Sequence, residues 1–191
     1  SYGKAATMYV MMDKIDDTVQ GAVFRLPLKM ESGTMRAATN PIDGLIYYSG
    51  LTGWQAGATQ EGSIQRLRHT GKKGIYLREA KARKNRLELT FTDPVNPDSI
   101  KKDSFAASAW NYRWSRGYGS PTFKISDPET RGDDKLSIES IDFSKDGKKL
   151  IVQIPDLSPC HNLKLDFEVN GKNGASLVGP VYFTIHKLPE S

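Results

Sequence analysis

An all-β fold is the class this sequence predicts, and three observations carry that expectation. Helical periodicity is almost absent along the chain, so no long amphipathic helix is expected. Short apolar or alternating runs recur every eight to fifteen residues between Gly, Pro, Asn and Asp, the pattern of strands joined by tight turns. Two turns are also written into the sequence. Asn40-Pro41-Ile42-Asp43-Gly44 has a Pro to fix φ and a Gly to accept a positive φ. Ser144-Lys145-Asp146-Gly147-Lys148 carries the Asp-Gly pair whose backbone twist matches a hairpin.

In the opening third, residues 8–12, 22–28, 35–39, 45–49 and 64–69 read as strands. The pattern restarts at 75–80 and 86–91, then pauses at Thr92-Asp93-Pro94-Val95-Asn96-Pro97-Asp98, where two prolines and three Asx residues favour a loop. Further strands are expected at 105–114, 122–125, 136–143, 149–154, 163–169 and 181–185. Roughly seven short alternating strands over the last two thirds indicate an immunoglobulin-like (Ig-like) β-sandwich. Gly71-Lys72-Lys73-Gly74 interrupts both the alternation and the hydrophobicity, which divides the chain into 1–73 and 74–191. The first part has the strand content of one propeller blade or a small sheet. Such a sheet cannot bury both faces alone, so it is expected to lean on the sandwich or on a partner.

Composition narrows the class. Among 191 residues, 38% are hydrophobic and 26% charged, which excludes collagen-like, low-complexity and largely disordered chains. No apolar run approaches the roughly 20 residues that span a bilayer. Ser1-Tyr2-Gly3-Lys4 lacks the opening pattern of a secretory signal, so a soluble chain is expected, any targeting signal having been removed or never present. The single cysteine, Cys160, excludes an internal disulfide, a CxxC knuckle and the CxxCH attachment of a c-type haem. Charge is local: Arg66, Arg68, Lys72, Lys73, Arg78, Lys81, Arg83, Lys84 and Arg86 face Glu79 alone, within a chain of net charge +5. Such a stretch attracts phosphates, sulfated sugars or an acidic protein face. It contains only Tyr76 as an aromatic and no reading helix, so a solvated connector is expected and nucleic acid is not.

A longer pattern runs through Ser32-Gly33-Thr34-Met35-Arg36, Asn40-Pro41-Ile42-Asp43-Gly44-Leu45-Ile46-Tyr47 and Gly50-Leu51-Thr52-Gly53-Trp54-Gln55. It continues through Thr70-Gly71-Lys72, Leu89-Thr90-Phe91-Thr92-Asp93-Pro94, Trp110-Asn111-Tyr112-Arg113-Trp114 and Tyr118-Gly119-Ser120-Pro121, and closes at Thr184-Ile185-His186-Lys187-Leu188. On these residues the chain resembles the C-terminal part of large secreted haem-binding proteins of planctomycetes and verrucomicrobia, similar to the quinone-dependent glucose and sorbosone dehydrogenases. The resemblance implies a last propeller blade followed by an Ig-like domain, in a periplasmic or secreted parent that often adds a c-type cytochrome domain. Its quinone pocket draws on several blades, and CxxCH is missing here. The resemblance therefore carries the architecture to this chain and no catalytic residue or cofactor.

The most unusual segment holds Trp110, Tyr112, Trp114 and Tyr118 with Arg113 and Arg116 in nine residues. Strand alternation puts Trp110, Tyr112 and Trp114 on one face, and Asn111 and Arg113 on the other. Two roles fit. An exposed row would suit sugar rings, with Arg taking a carboxylate or sulfate bidentately; a buried row would fill the space between two sheets. Trp114 and Tyr118, beside glycines, are the residues expected to be exposed.

Other constellations read as structural. The stretch from Gly50 to Gly62 lacks the GxGxxG order and a following helix, and is read as a loop burying Trp54. Asp127, Glu129, Asp133 and Asp134 crowd around Pro128 and Gly132 without EF-hand spacing, and are read as a solvated loop. His69, His161 and His186 are too dispersed for a metal centre. Cys160 and His161, adjacent on a strand, would face opposite ways and make a poor nucleophile and base. Three functions remain in view. The first is a non-catalytic accessory region making domain or extracellular partner contacts with propeller or cytochrome domains. The second is a carbohydrate-binding module using the aromatic row. The third is a subunit of a quinone-dependent sugar dehydrogenase whose propeller comes from another chain.

Overall fold

The computed structural model describes residues 3–53 and 57–189. In chain order the strands are β1 (Met8–Ile15), β2 (Thr18–Arg25), β3 (Gly33–Thr39), β4 (Ile46–Leu51), β5 (Gly62–Leu67), β6 (Leu77–Arg83), β7 (Arg86–Phe91) and β8 (Ala106–Tyr112). They continue as β9 (Thr122–Phe123), β10 (Asp134–Leu136), β11 (Ile141–Phe143), β12 (Lys149–Gln153), β13 (Cys160–Asp166), β14 (Glu168–Asn170), β15 (Ser176–Val178) and β16 (Val181–Ile185). Strand accounts for 48% of the described residues and helix for 3%, the latter as short 3-10 turns at Pro97–Ser99 and Lys102–Ser104. The fold is all-β, built from several antiparallel sheets.

Two units divide the chain: Ser1–Tyr9 with Arg25–Lys72, and Val10–Phe24 with Lys73–Ser191. The break after Lys72 lies one residue from the expected one, but the 1–73 assignment needs a correction. Val10–Phe24 belongs with the second unit, because β2 pairs along β16, Phe24 opposite Val181 and Ala22 opposite Phe183. A hairpin's outer hydrogen bonds can be met by any compatible edge, and local sequence does not say which.

The first unit contains an antiparallel sheet in the order β3-β4-β5. Its first hairpin turns at Asn40–Gly44 as its residues predict. Gly44 takes φ +69°, the Asn40 side chain accepts from the Ile42 N–H, and Asp43 accepts from the Leu45 N–H and the Tyr47 hydroxyl. These local bonds replace a partner strand where the chain reverses. At Gly50 a Cβ would stand 1.8 Å from the Gly33 carbonyl oxygen, so close backbone approach requires glycine. Of the residues in β3, β4 and β5, only Gly33 is buried. Opposite partners share a face. Tyr47 stands between Ala38 and Arg66, and Ser49 between Arg36 and Ile64, with Leu51 on that same face.

In the second unit, a large sheet runs β1-β2-β16-β13-β8-β10 with β9 on β8, and a smaller one runs β11-β12-β7-β6. Both alternate in burial: Leu87, Leu89 and Phe91 on β7 and Leu150 and Val152 on β12 are buried, as are Leu163, Leu165, Val181, Phe183 and Ile185 in the large sheet. Phe167, between β13 and β14, meets the rings of Phe24, Phe91 and Phe105 at centroid distances of 6.2, 6.3 and 6.4 Å. One side chain thus joins apolar residues of both sheets. The Ser144–Lys148 turn is as expected, with Gly147 at φ +69° and Asp146 accepting from the Ser144 hydroxyl and the Lys148 N–H.

Several strand expectations change, among them 22–28 and 64–69, which stop being strand at Arg25 and Leu67. Residues 136–143 form two strands, β10 pairing with β8 and β11 with β12, so the chain passes from one sheet to the other between Leu136 and Ile141. Residues 163–169 likewise end β13 and start β14, which pairs with the unexpected β15. Residues 105–114 stop being strand at Tyr112, and 122–125 at Phe123.

Candidate functional site

The aromatic segment starts on β8 and leaves it. Ala107 and Ala109 face inward and are buried, whereas Trp110 is half-buried and Tyr112 exposed. The indole Nε1 of Trp110 is buried without a partner. At the strand's end the Tyr112 N–H donates to His161 Nδ1 at 3.0 Å, the two rings stack at 6.4 Å, and the His161 N–H donates to Asn111 Oδ1 at 2.9 Å. Across the other edge, Asn111 and Tyr112 pair with Phe123 and Thr122 of β9. The intervening residues therefore form a loop whose two ends are hydrogen-bonded together.

Arg113 fixes the base of that loop. Its guanidinium lies 4.4 Å from the centroid of the Phe123 ring, the geometry in which a cation is drawn to a π-face. It pairs with Glu129 at 2.5 Å and donates to the Pro128 carbonyl. Its backbone N–H donates to the Ser120 hydroxyl at 3.1 Å. Arg113, expected among ligand-binding residues, is committed to the protein itself. Beyond it Trp114, Ser115, Arg116, Gly117, Tyr118 and Gly119 are all exposed; Trp114 and Tyr118 are fully so. Gly119 at φ +76° supplies the left-handed residue that turns the chain back. The six expected residues thus separate: Trp110 and Tyr112 on the strand, Arg113 in the base, and Trp114, Arg116 and Tyr118 at the tip. Alternation placed Trp114 on the face of Trp110 and Tyr112 only by extending the strand two residues too far.

In the neighbouring acidic loop, Asp127 and Asp134 spend their oxygens internally. Asp127 accepts from the Thr130 hydroxyl and the Glu129 N–H, and Asp134 from the Ser126 hydroxyl and the Ser126 and Ile125 N–H groups. Those bonds, the hydroxyls first, hold both carboxyls below the usual carboxylate range. Among the described residues no three His, Cys, Asp or Glu side chains gather as metal ligands. Three cations of the basic stretch also have partners: Lys81 with Glu79, Arg83 with Asp13, and Arg86 with Glu88.

Cys160 is a buried free thiol, and burial pushes it up to about 12. Adjacent His161 is exposed, its Nδ1 already accepting from the Tyr112 N–H, so the two do not form a nucleophile and base pair. Trp54 lies outside the described residues.

Sequence reasoning gave Phe123, Ser120 and Glu129 no part in supporting the loop; the contact of Arg113 with each spans a turn, and no spacing rule announces it. It also passed over a depression of about 700 Å³ above Ala106 and Ser108, edged by Lys102, Lys135, Asp103, Asp133 and Asp166. Its charges are mixed. A scan against protein-family models finds no match for the chain, and a search of curated proteins finds none.

Proposed function

We propose that this chain is a non-catalytic binding region of a secreted, multidomain redox protein, with a propeller-blade-like sheet and an Ig-like sandwich that contact neighbouring domains or an extracellular partner. The observation that carries the reading is the β3-β4-β5 sheet, where Gly33 alone is buried. A three-stranded sheet gains stability from covering a face. Here Ile64 is 79% and Leu51 46% exposed, on the face that also carries Tyr47 and Ala38. A neighbouring β surface laid on that face would remove these side chains from water at roughly 25 cal/mol per Å². The second unit supports the sandwich half of the reading through two sheets whose buried residues meet at Phe167. The resemblance in sequence supplies the multidomain parent; any quinone-linked chemistry would then belong to its other domains.

Hydrogen exchange on the chain alone tests the proposal. Amides of β4, the central strand of the small sheet, are expected to exchange orders of magnitude faster than those of β12 and β13, and to slow when the chain is joined to its neighbouring domains. Equal protection of β4 and β12 in the isolated chain would show a sheet that needs no cover, and would refute the reading.

A further inference from the structure

We infer that the loop between β8 and β9 is a binding site for an acidic polysaccharide, with Trp114 and Tyr118 as ring-stacking surfaces and Arg116 as the contact to a carboxylate or sulfate. The site is separate from the face of the small sheet, and the inference stands without the docking role proposed for it.

Three features of the loop lead there. The first is the exposure of two large aromatic side chains four residues apart, both fully in solvent. Flat π-faces of this kind pack on the C–H side of a pyranose ring, and each Tyr or Trp brings a large contact area with few torsions to freeze. The Cα atoms of Trp114 and Tyr118 can stand at most about 14 Å apart, a spacing on the scale of a short oligosaccharide.

The second feature is preorganisation. The base is closed by the Tyr112 and Thr122 pairing, the Arg113 N–H bond to Ser120, and the Arg113 guanidinium held by Glu129 and Phe123. A loop tied at its base pays less ordering entropy when a ligand arrives.

Charge is the third. Glu129, an acid at this loop's base, is taken by Arg113, and Asp127 and Asp134 turn their oxygens to their own loop. Arg116 is exposed and has no ion pair among the described residues. Its planar fork matches a carboxylate or sulfate bidentately. Between the aromatics stand Ser115, Arg116 and Gly117, with Gly119 and Ser120 beyond, and no aliphatic side chain occurs from 111 to 120. Rings separated by small polar residues suit a hydroxyl-rich ligand. A membrane surface asks instead for a continuous apolar face.

The chain's net charge of +5 will draw any polyanion weakly, so the test must separate that pull from the loop. Affinity electrophoresis of the intact chain in gels containing polygalacturonate, a sulfated galactan or neutral dextran does so. The wild type should be retarded by at least one acidic polymer and not by dextran; which acidic polymer retards it tells uronate from sulfate. Trp114→Ala with Tyr118→Ala should weaken retardation at least tenfold, and Arg116→Gln should weaken it and flatten its salt dependence. Lys72→Gln with Lys73→Gln should change it little. Unchanged thermal melting checks that these surface variants fold. The inference fails if no acidic polymer retards the wild type, if dextran does so equally, or if the lysine pair matters and the aromatic pair does not, as when a protein pocket is the true occupant of the tip.

Discussion

Arg83 donates to both carboxylate oxygens of Asp13, at 2.6 and 3.3 Å, across seventy positions of sequence. Both side chains are largely buried, Asp13 at 7% and Arg83 at 14% exposure. Asp13 lies on β1, at the edge of the large sheet, and Arg83 on β6, at the edge of the small one. The pair therefore ties the edges of two sheets together and locks the N-terminal hairpin into the second unit. Removing one partner leaves an uncompensated buried charge, which typically costs about 3–5 kcal/mol. Asp13→Ala should lower the urea midpoint of the second unit by an amount corresponding to that range. Asp13→Leu with Arg83→Met, which removes both charges, should recover most of the loss. A single-variant cost below about 1 kcal/mol would mean that water reaches the pair.

That bond also explains what could be read in the sequence and what could not. Strands bounded by their own turns were legible: β7 and β16 fall where their apolar alternation puts them, and the Asn40–Gly44 and Ser144–Lys148 turns form from side chains within the turn. Local chemistry decides such features. The choice of β16 as partner of β2 is a long-range pairing, made by surfaces that meet only after folding. Residues 136–143 read as one strand because alternation does not register the step between sheets that Ile138, buried between β10 and β11, makes possible. At the candidate loop, the exposure of Trp114 and Tyr118 followed from the adjoining glycines. The commitment of Arg113 did not, because Phe123 and Glu129 reach it from beyond the turn.

Arg113 should matter more for loop order than for global stability. Its side chain is 40% exposed and that of Glu129 84%, so solvent screening leaves the ion pair and the ring contact together about 1 kcal/mol or less. Arg113→Gln should thus shift the unfolding midpoint slightly, while backbone order parameters at 114–119 fall. Arg113→Lys keeps the charge and loses the flat fork, so it should loosen the loop nearly as much. Order parameters unchanged in both variants would show that the Tyr112 and Thr122 pairing alone closes the base.

Acid should loosen the 122–134 segment as the carboxyl of Asp134 takes up its proton. The Ser126 hydroxyl, then the Ser126 and Ile125 N–H groups, lower the Asp134 carboxyl from 3.8. A carboxyl lowered by folding contributes stability that is complete above its unfolded value and is lost as pH falls through the folded one. The window thus opens near 3.8 and extends below it. NMR titration of the Asp134 carboxyl carbon should place its midpoint under that value. Chemical shifts of Ile125 and Ser126 should move with the same midpoint. Ser126→Ala should move the Asp134 midpoint back up, and a midpoint indifferent to that change would remove the hydroxyl as the main cause.

Cys160 has the opposite sign and the opposite window. Burial raises its thiol from 9.0 to about 12, because the thiolate is disfavoured away from water. An acid raised by folding contributes fully below its unfolded value, and that contribution drains away as pH climbs from about 9 towards about 12. Comparing unfolding of the wild type and Cys160→Ala between pH 8 and 11 isolates the thiol from lysines and tyrosines, which titrate in both. The difference in stability between the two proteins should shrink as pH rises. At pH 8 the native thiol should resist a disulfide reagent and react only as fast as the second unit opens, with urea accelerating both together. Rapid labelling of the folded chain would place a reactive thiolate at β13, and would reopen the pairing of Cys160 with His161 that the buried, inward-facing side chain argues against.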